Sequence, residues 1–409
     1  MATEPIYILG GYQSDFAQNL ARTGGDIGQL FIDTVRAGLQ ATALDAADVD
    51  VGHVGNFVSA SFTGQAHLGG FFGHVDPAMA YMPASSHEAA CASGSMAILA
   101  AMADLEAGRY GVACVVGLEV MRNVSANVAA NNLAAAAWVG QEWSQAEYLW
   151  PAAFDDVLSL YQETYGVDYR HLAAISEQNF SNAKRNPKAQ TRGWKFGEQS
   201  FAQNDEANPV VCGNLRRQDC GQITDGAAVV FLASKTSAQR YAQQRGITLE
   251  SLPMIKGWGH VNAPLLFKEK QRLNHNQPYL FPHVDALFRQ TLKRAQLEDI
   301  HGVDGIELHD CFSITQYMIL DHAGLNKPGE IWKTLEAGTT SPTGSLPVNM
   351  SGGLIGLGHP VGATGVRMLL DAYKQVAGRA GEYQIENARN MMTVNLGGST
   401  TTCVSFIVG

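Results

Sequence analysis

The sequence predicts an α/β protein built of two similar halves in a layered core, with a further unit inserted in the first half. Three observations carry that prediction. Short β-branched runs alternate with longer Ala- and Leu-rich segments, the pattern of sheets covered by helices. The order strand, helix, strand, break, helix, strand, strand occurs twice along the 409 residues. The last two strands of the first half are separated by a stretch too long for a simple sheet connection.

Taken in order, residues 5–9 read as the first strand. Ile27, Leu30, Phe31, Val35 and Leu39 recur at helical spacing and predict a helix over 27–43. Residues 53–59 and 80–86 read as the second and third strands, followed by a helix over 91–108 and strands over 111–119 and 227–233. Between the last two, helical patterns at 154–165 and 171–184 give way to polar loops, so 120–226 reads as an inserted subdomain. The second half has a strand at 253–258, a helix at 284–295 and a strand at 305–309. A glycine-rich loop, a helix at 364–376 and closing strands at 391–396 and 401–408 complete it. The units are thus 1–119 with 227–250, 120–226, and 251–409.

With 46% apolar and 16% charged residues, the chain can bury a large core and is not disordered as a whole. Its 38 acidic against 28 basic side chains, a formal charge of −10, argue against nucleic acid as a partner. The cysteines, at 91, 114, 212, 220, 311 and 403, are too sparse for a disulfide scaffold, and no CxxC pair suggests a zinc ribbon. No metal is expected. Residues 1–5 lack a basic or apolar leader, and 126–139 is too short and too broken by Asn127, Asn131 and Asn132 to span a bilayer. The final Phe-Ile-Val-Gly is not a peroxisomal signal. A cytoplasmic protein without a membrane span is expected.

Four motifs could carry chemistry. The first is His87-Glu88-Ala89-Ala90-Cys91-Ala92-Ser93-Gly94-Ser95, between a strand and an Ala-rich helix. A cysteine at a helix start faces unpaired N–H groups that favour its thiolate and can hold an oxyanion. An isolated cysteine is more often simply buried and inert. The second, Glu307-Leu308-His309-Asp310-Cys311-Phe312, ends a strand, where ligands gather in α/β folds. The third runs from Asn349 to Gly365, with six glycines between 352 and 365 and His359 held before Pro360. Its spacing is neither GxGxxG nor GxxxxGK[ST], so a general base fits better than a nucleotide cradle. A nicotinamide-dependent oxidoreductase is disfavoured because no dinucleotide fingerprint follows the first strand. The fourth, Asn395-Leu396-Gly397-Gly398-Ser399, offers glycine amides for a second oxyanion site, or is only a turn.

In this order the four motifs resemble the thiolase superfamily, most closely the sterol-carrier-protein-type thiolases and their bacterial and archaeal relatives. Residues 215–234 (LRRQDCGQITDGAAVVFLAS) and 182–191 (NAKRNPKAQT) are similar to that branch's loop region, and the resemblance runs over about 6–408. It implies two five-stranded α/β halves stacked in a layered core, with the insertion binding coenzyme A. CoA and acyl-CoA are then substrates, and no cofactor is held permanently. It also implies a homodimer or tetramer, and leaves room for a partner subunit in a larger complex. No residues follow 409, so the sterol-carrier domain fused to some relatives is not expected, nor is lipid transfer.

Residue by residue, the resemblance implies that Cys91 is the nucleophile and His359 the base that activates it. His309 stands where the common thiolases have asparagine and would help hold the thioester oxygen. Those enzymes carry a second cysteine in a Cys-x-Gly motif, which here reads Asn395-Leu396-Gly397. Cys311 therefore inherits the proton transfer at the α-carbon, as in the sterol-carrier branch, with the amides of Cys91 and Gly397 as oxyanion donors and Asp310 as structural support. The implied activity is thiolase-type C-acyl transfer (acetyl-CoA acetyltransferase or 3-ketoacyl-CoA thiolase). An acyltransferase for an aromatic or polyketide acceptor and a non-catalytic CoA-binding subunit are the alternatives. Met350 stands where relatives often have proline, and Ile355-Gly356-Leu357 lacks the more usual polar residue before Gly-His-Pro. The tract 123–150, with Trp143 and Trp150, is unlike the family's loop domain, and either lines a larger acceptor pocket or packs that domain.

Overall fold

A computed structural model describes residues 4–409. The first half supplies strands β1 (Ile6–Gln13), β2 (Val51–Gly55), β3 (Ala84–His87) and β4 (Val112–Glu119). A small hairpin, β5 (Val210–Cys212) and β6 (Leu215–Arg216), precedes β7 (Gly226–Ala233), which closes that half. The second half supplies β8 (Met254–Asn262), β9 (Gly305–Leu308), β10 (Met391–Gly397) and β11 (Thr402–Val408).

Nine strands join in the order β3-β2-β4-β7-β1-β8-β11-β10-β9. Outward from the β1/β8 seam the halves repeat one topology: β1, β7, β4, β2, β3 on one side, and β8, β11, β10, β9 on the other. The seam is short, pairing Ile6 with Ile255 and Tyr7 with Met254. In the second half the fifth strand shrinks to one parallel bridge, Ile306 to Val348. Pro347 has no N–H to give a ladder, and Asn349 turns left-handed at φ 51°.

Helix α1 (Ile27–Thr42) covers the outer face of the first half, and α2 (Ser93–Glu106) its inner face. Side-chain alternation along β7 decides the layering: Ala227, Val229 and Phe231 join the cluster under α1, whereas Ala228, Val230 and Leu232 join the cluster under α2. Being buried on both faces, β7 is apolar throughout. The insertion begins with helix α3 (Ala126–Leu133), followed by α4 (Leu149–Tyr165) and α5 (Tyr169–Ala183). It leaves after Glu119 and returns at Gly226, and these two residues are paired neighbours. Helix α6 (Pro282–Arg294) covers the outer face of the second half, and α7 (Ser313–Asp321) follows β9. Helix α8 (Thr364–Val376) packs against α2 between the sheet faces. Among the described residues no helix is long and apolar enough to cross a membrane.

β1 and β8 each run four residues further than expected, to Gln13 and Asn262, and two other strands are displaced for reasons the contacts show. β2 stops at Gly55 because the next amides are taken by the buried Glu119 carboxylate, which accepts from Phe57 N–H (3.0 Å), Val58 N–H (3.2 Å) and the Asn56 side chain (3.0 Å). β3 begins only at Ala84, because the 3-10 turn Pro77–Met79, capped by Asp76, runs on in turn bonds from Ala80 N–H to Pro77 O and from Met82 N–H to Met79 O, over the first residues of the expected strand.

The second half is pinned by a buried ionic group. The Arg367 guanidinium, with no exposed surface, donates to Glu307 Oε2 at 2.9 Å, Ser351 Oγ at 3.1 Å and Asp371 Oδ2 at 3.4 Å. Removing one member strands the opposite charge in a dry interior. Arg367→Ala is expected to lower stability by about 3–5 kcal/mol, read as a fall in the urea midpoint. A midpoint matching the unaltered protein would disprove the strut.

Candidate active site

Cys91 lies in the short turn Ala90–Ala92 between β3 and α2. The expected helix from residue 91 thus begins two residues later, at Ser93. Ser93 builds the turn: its hydroxyl accepts from Ala89 N–H (2.9 Å) and donates to Ala90 O (2.6 Å). Ala90 is held left-handed at φ 51°, a strained position for a residue with a Cβ. A Cβ at Gly94 would come within 2.7 Å of the Gly362 carbonyl oxygen, so glycine lets the start of α2 abut the turn before α8. The duplication therefore puts Cys91 and His359 in matching places, each just ahead of the inner helix of its half.

His359 is fixed at two points. Its backbone N–H donates to Thr224 Oγ1 at 2.9 Å, and its ring Nδ1 lies 2.7 Å from Thr364 Oγ1. The Thr364 hydroxyl gives its proton to Pro360 O (3.2 Å), so it accepts from Nδ1–H. Nε2 is then the bare nitrogen, the tautomer a base needs. The loop before it wraps the Asp310 carboxylate, which accepts from the N–H groups of Leu354 and Ile355 and from Asn179 Nδ2. Asp310 is thus occupied as a loop anchor.

His309, buried at the end of β9, is set the opposite way. Leu396 N–H points at its Nδ1 from 3.4 Å, and Asn395 Nδ2 lies 3.1 Å from the same nitrogen. A backbone N–H can only donate, so Nδ1 is bare and the proton sits on Nε2. The amide of Asn395 is itself oriented by Ser95 Oγ, which donates to Oδ1 at 2.8 Å. One imidazole therefore presents a lone pair and the other an N–H. Their rings meet edge to face with centroids 5.2 Å apart.

Ligand atoms of Cys91, His309 and His359 all lie within 4.8 Å of one another. Such a trio has the donor types of a metal site, but a His309 whose free nitrogen carries the proton donates rather than ligates. Cys311 lines the same cavity and stands outside the trio, its Sγ 3.6 Å from Thr315 Oγ1. Gly397 does not line the cavity. It belongs to β10, and a Cβ there would meet Ala89 O at 2.2 Å, so it serves close approach to the turn that carries Cys91. The amide that faces the Cys91 sulfur from that loop belongs to Gly398, with that of Cys91 itself. Gly397 was expected to turn its amide into the site; the amide turned toward the sulfur is that of Gly398, because the strand continues through 397 and turns, at φ 62°, only at 398.

Electrostatics also depart from expectation. The helix start was expected to favour a thiolate, yet burial pushes the Cys91 thiol up to about 12, with the carboxylates of Glu119 and Glu88 adding to it. Burial and the Arg367 charge lower His359 to about 3. Burial, then His359 and Arg367, hold His309 well below the ordinary histidine value. Cys311 is pushed up by burial and by the neighbouring Cys91. The resting pair is a neutral thiol beside a neutral imidazole, because an apolar cavity disfavours both charged forms.

That cavity holds about 370 Å³ and opens between the insertion and the loops that carry Cys91, His309 and His359. The returning segment of the insertion pairs with both loops, Cys220 with Phe312 and Ile223 with His359. Of the two tryptophans in the unusual tract, Trp150 lines the cavity, whereas Trp143 packs on Phe267 and donates to Asp156 Oδ2 at 2.8 Å. Sequence reasoning gave no role to Ser95, Thr224 or Thr364, and named Gly398 only as one of the glycine amides of the fourth motif. The signal for Asn395 was visible, since it fills the place of the missing cysteine, but its partner His309 is remote in sequence.

The family model described as "Thiolase, N-terminal domain" matches residues 7–236, and "Thiolase C-terminal domain-like" matches 272–409. The chain is 30% identical to the acetyl-CoA acetyltransferase of Methanothermobacter thermautotrophicus over 90% of its length and 91% of that protein. It is 25% identical to sterol carrier protein 2 of Homo sapiens over 96% of its length and 70% of that protein. The crystal structure of human mitochondrial 3-ketoacyl-CoA thiolase in complex with CoA superposes with a TM-score of 0.70 at 16% identity, covering 99% of this chain and 98% of that one.

Proposed function

This chain belongs to the thiolase family, and from that premise we infer that it is a C-acyltransferase acting on CoA thioesters through an acyl-Cys91 intermediate. The observation that carries the reading is that Cys91, His309 and His359 line one apolar cavity and each brings a ligand atom within 4.8 Å of the others. CoA is the second substrate, entering past Arg217, a cation on the cavity wall suited to its phosphates.

In cleavage, His359 Nε2 takes the thiol proton as Cys91 Sγ attacks the keto carbon of a 3-oxoacyl-CoA. The oxyanion that forms is held by His309 Nε2–H and the amides at the site. The bond between C2 and C3 breaks and its electron pair moves into the thioester enolate, which is protonated at C2 by Cys311 and leaves as acetyl-CoA. The acyl group remains on Cys91. A second CoA gives its thiol proton to the Cys311 thiolate and attacks the acyl carbon. Cys91 leaves and recovers its proton from His359. Synthesis is the same sequence reversed. A raised Cys311 value suits this role, because a weakly acidic carbon needs a partner of comparable basicity.

Intact-protein mass spectrometry after exposure to acetyl-CoA tests the intermediate: one acetyl group on Cys91 is expected. Cys311→Ala is expected to keep that adduct while lowering carbon–carbon cleavage by roughly 10²–10⁴-fold. Full turnover in that variant would remove Cys311 from the mechanism.

A further inference from the structure

The cavity over Cys91 is larger and drier than an acetyl group requires. Ala126, Ala130 and Leu133 of α3 stand four and three residues apart and share one helical face on its wall, and the two alanines leave room. Much of the remaining wall is aromatic: Phe57, Tyr148, Trp150 and Phe154. The polar atoms of these rings are already satisfied. Tyr148 Oη donates to Asn127 Oδ1 at 3.2 Å, and Trp150 Nε1 donates to Leu133 O at 2.9 Å. A ligand group lying here meets ring faces and methyls, and a polar group would be desolvated without a partner. The whole cavity, including the approach past Arg217, holds about 370 Å³, against the roughly 150 Å³ that holds a benzene molecule in an apolar cavity, so a ring fits beside the thioester.

Resting on the acyltransferase reading above, we propose that this wall is the acyl subsite and that the substrates are 3-oxoacyl-CoA thioesters whose acyl group carries an apolar ring. Three physical reasons favour a ring over a flexible chain. Ring-on-ring contacts with the aromatic wall exceed the gain from buried area alone. A ring loses little rotamer freedom on binding. The small face of α3 gives it width. The chemistry is that already written: the ring-bearing acyl group stays on Cys91 as the thioester while acetyl-CoA leaves, and CoA carries it away.

The test compares 3-oxo-3-phenylpropanoyl-CoA, 3-oxooctanoyl-CoA and acetoacetyl-CoA, each with CoA, by kcat/KM and by the mass of the adduct on Cys91. The ring thioester is expected to lead both others by at least tenfold. In Ala130→Leu, which narrows the α3 face, the ratio of ring to acetoacetyl thioester is expected to fall at least tenfold. Preference for either ringless thioester in the unaltered protein overturns the subsite while leaving the acyltransferase reading intact. Absence of an adduct with all three overturns that reading and this one with it. Since the unaltered protein alone decides the preference, a poorly folding variant does not rescue the idea.

Discussion

Cys91→Ala is expected to form no acyl adduct with any CoA thioester and to lose turnover by about 10⁴-fold or more, as nucleophile removal does elsewhere. In the unaltered protein, acylation of Cys91 is expected to proceed at a rate that is flat from about pH 5 to pH 8. The sign follows from the two partners. His359 works as a base only when unprotonated, and burial lowers its value to about 3, so lowering the pH through the ordinary histidine range leaves it competent. The Cys91 thiol, pushed up to about 12, ionises only well above neutrality, so no thiolate limb enters either. Stopped-flow measurement of the acylation burst across that range checks both points. An inflection near pH 6.5 would mean that His359 is solvated, and the dry neutral pair would be abandoned.

Asn395→Asp carries the second large effect. The native amide, oriented by Ser95, donates to His309 Nδ1 and keeps the imidazole proton on Nε2 toward the substrate. A carboxylate accepts only, so it would draw the proton to Nδ1 and turn a bare nitrogen toward the developing oxyanion. Loss of an oxyanion donor costs about 10²–10³-fold in kcat, with KM changing much less. Nitrogen NMR of His309 should report the reversed tautomer, a signature that a merely destabilised fold would not give. Asn395→Ala leaves Leu396 N–H on Nδ1 and is expected to lose less. Equal losses in the two variants, with an unchanged tautomer, would rule out the relay from Ser95 through Asn395.

Most of the fold was legible because its elements are written locally. The helix at Ile27–Thr42 follows from apolar spacing, and β4 and β7 are continuous apolar runs that only a doubly covered strand requires. The four motifs were legible too, because Gly-rich loops and ionisable groups at strand ends stand out from core. Where the reading slipped, a distant group had intervened. β2 ended early because Glu119, far along the chain, claimed the amides of Phe57 and Val58. The thiol of Cys91 lost its expected acidity because it faces an apolar cavity walled by the insertion and by both loops.

The sequence by itself thus determined the α/β duplication, the insertion and the three loops that hold Cys91, His309 with Cys311, and His359, since each rests on periodicity or on residue types within a short window. The tertiary structure alone decided which nitrogen of each histidine is bare, that Gly398 rather than Gly397 faces the sulfur, and that the wall over the site is aromatic and dry. Those properties belong to contacts between residues tens to hundreds of positions apart, such as Ser95 with Asn395. Hydrogen-bond direction and desolvation exist only once such partners have met.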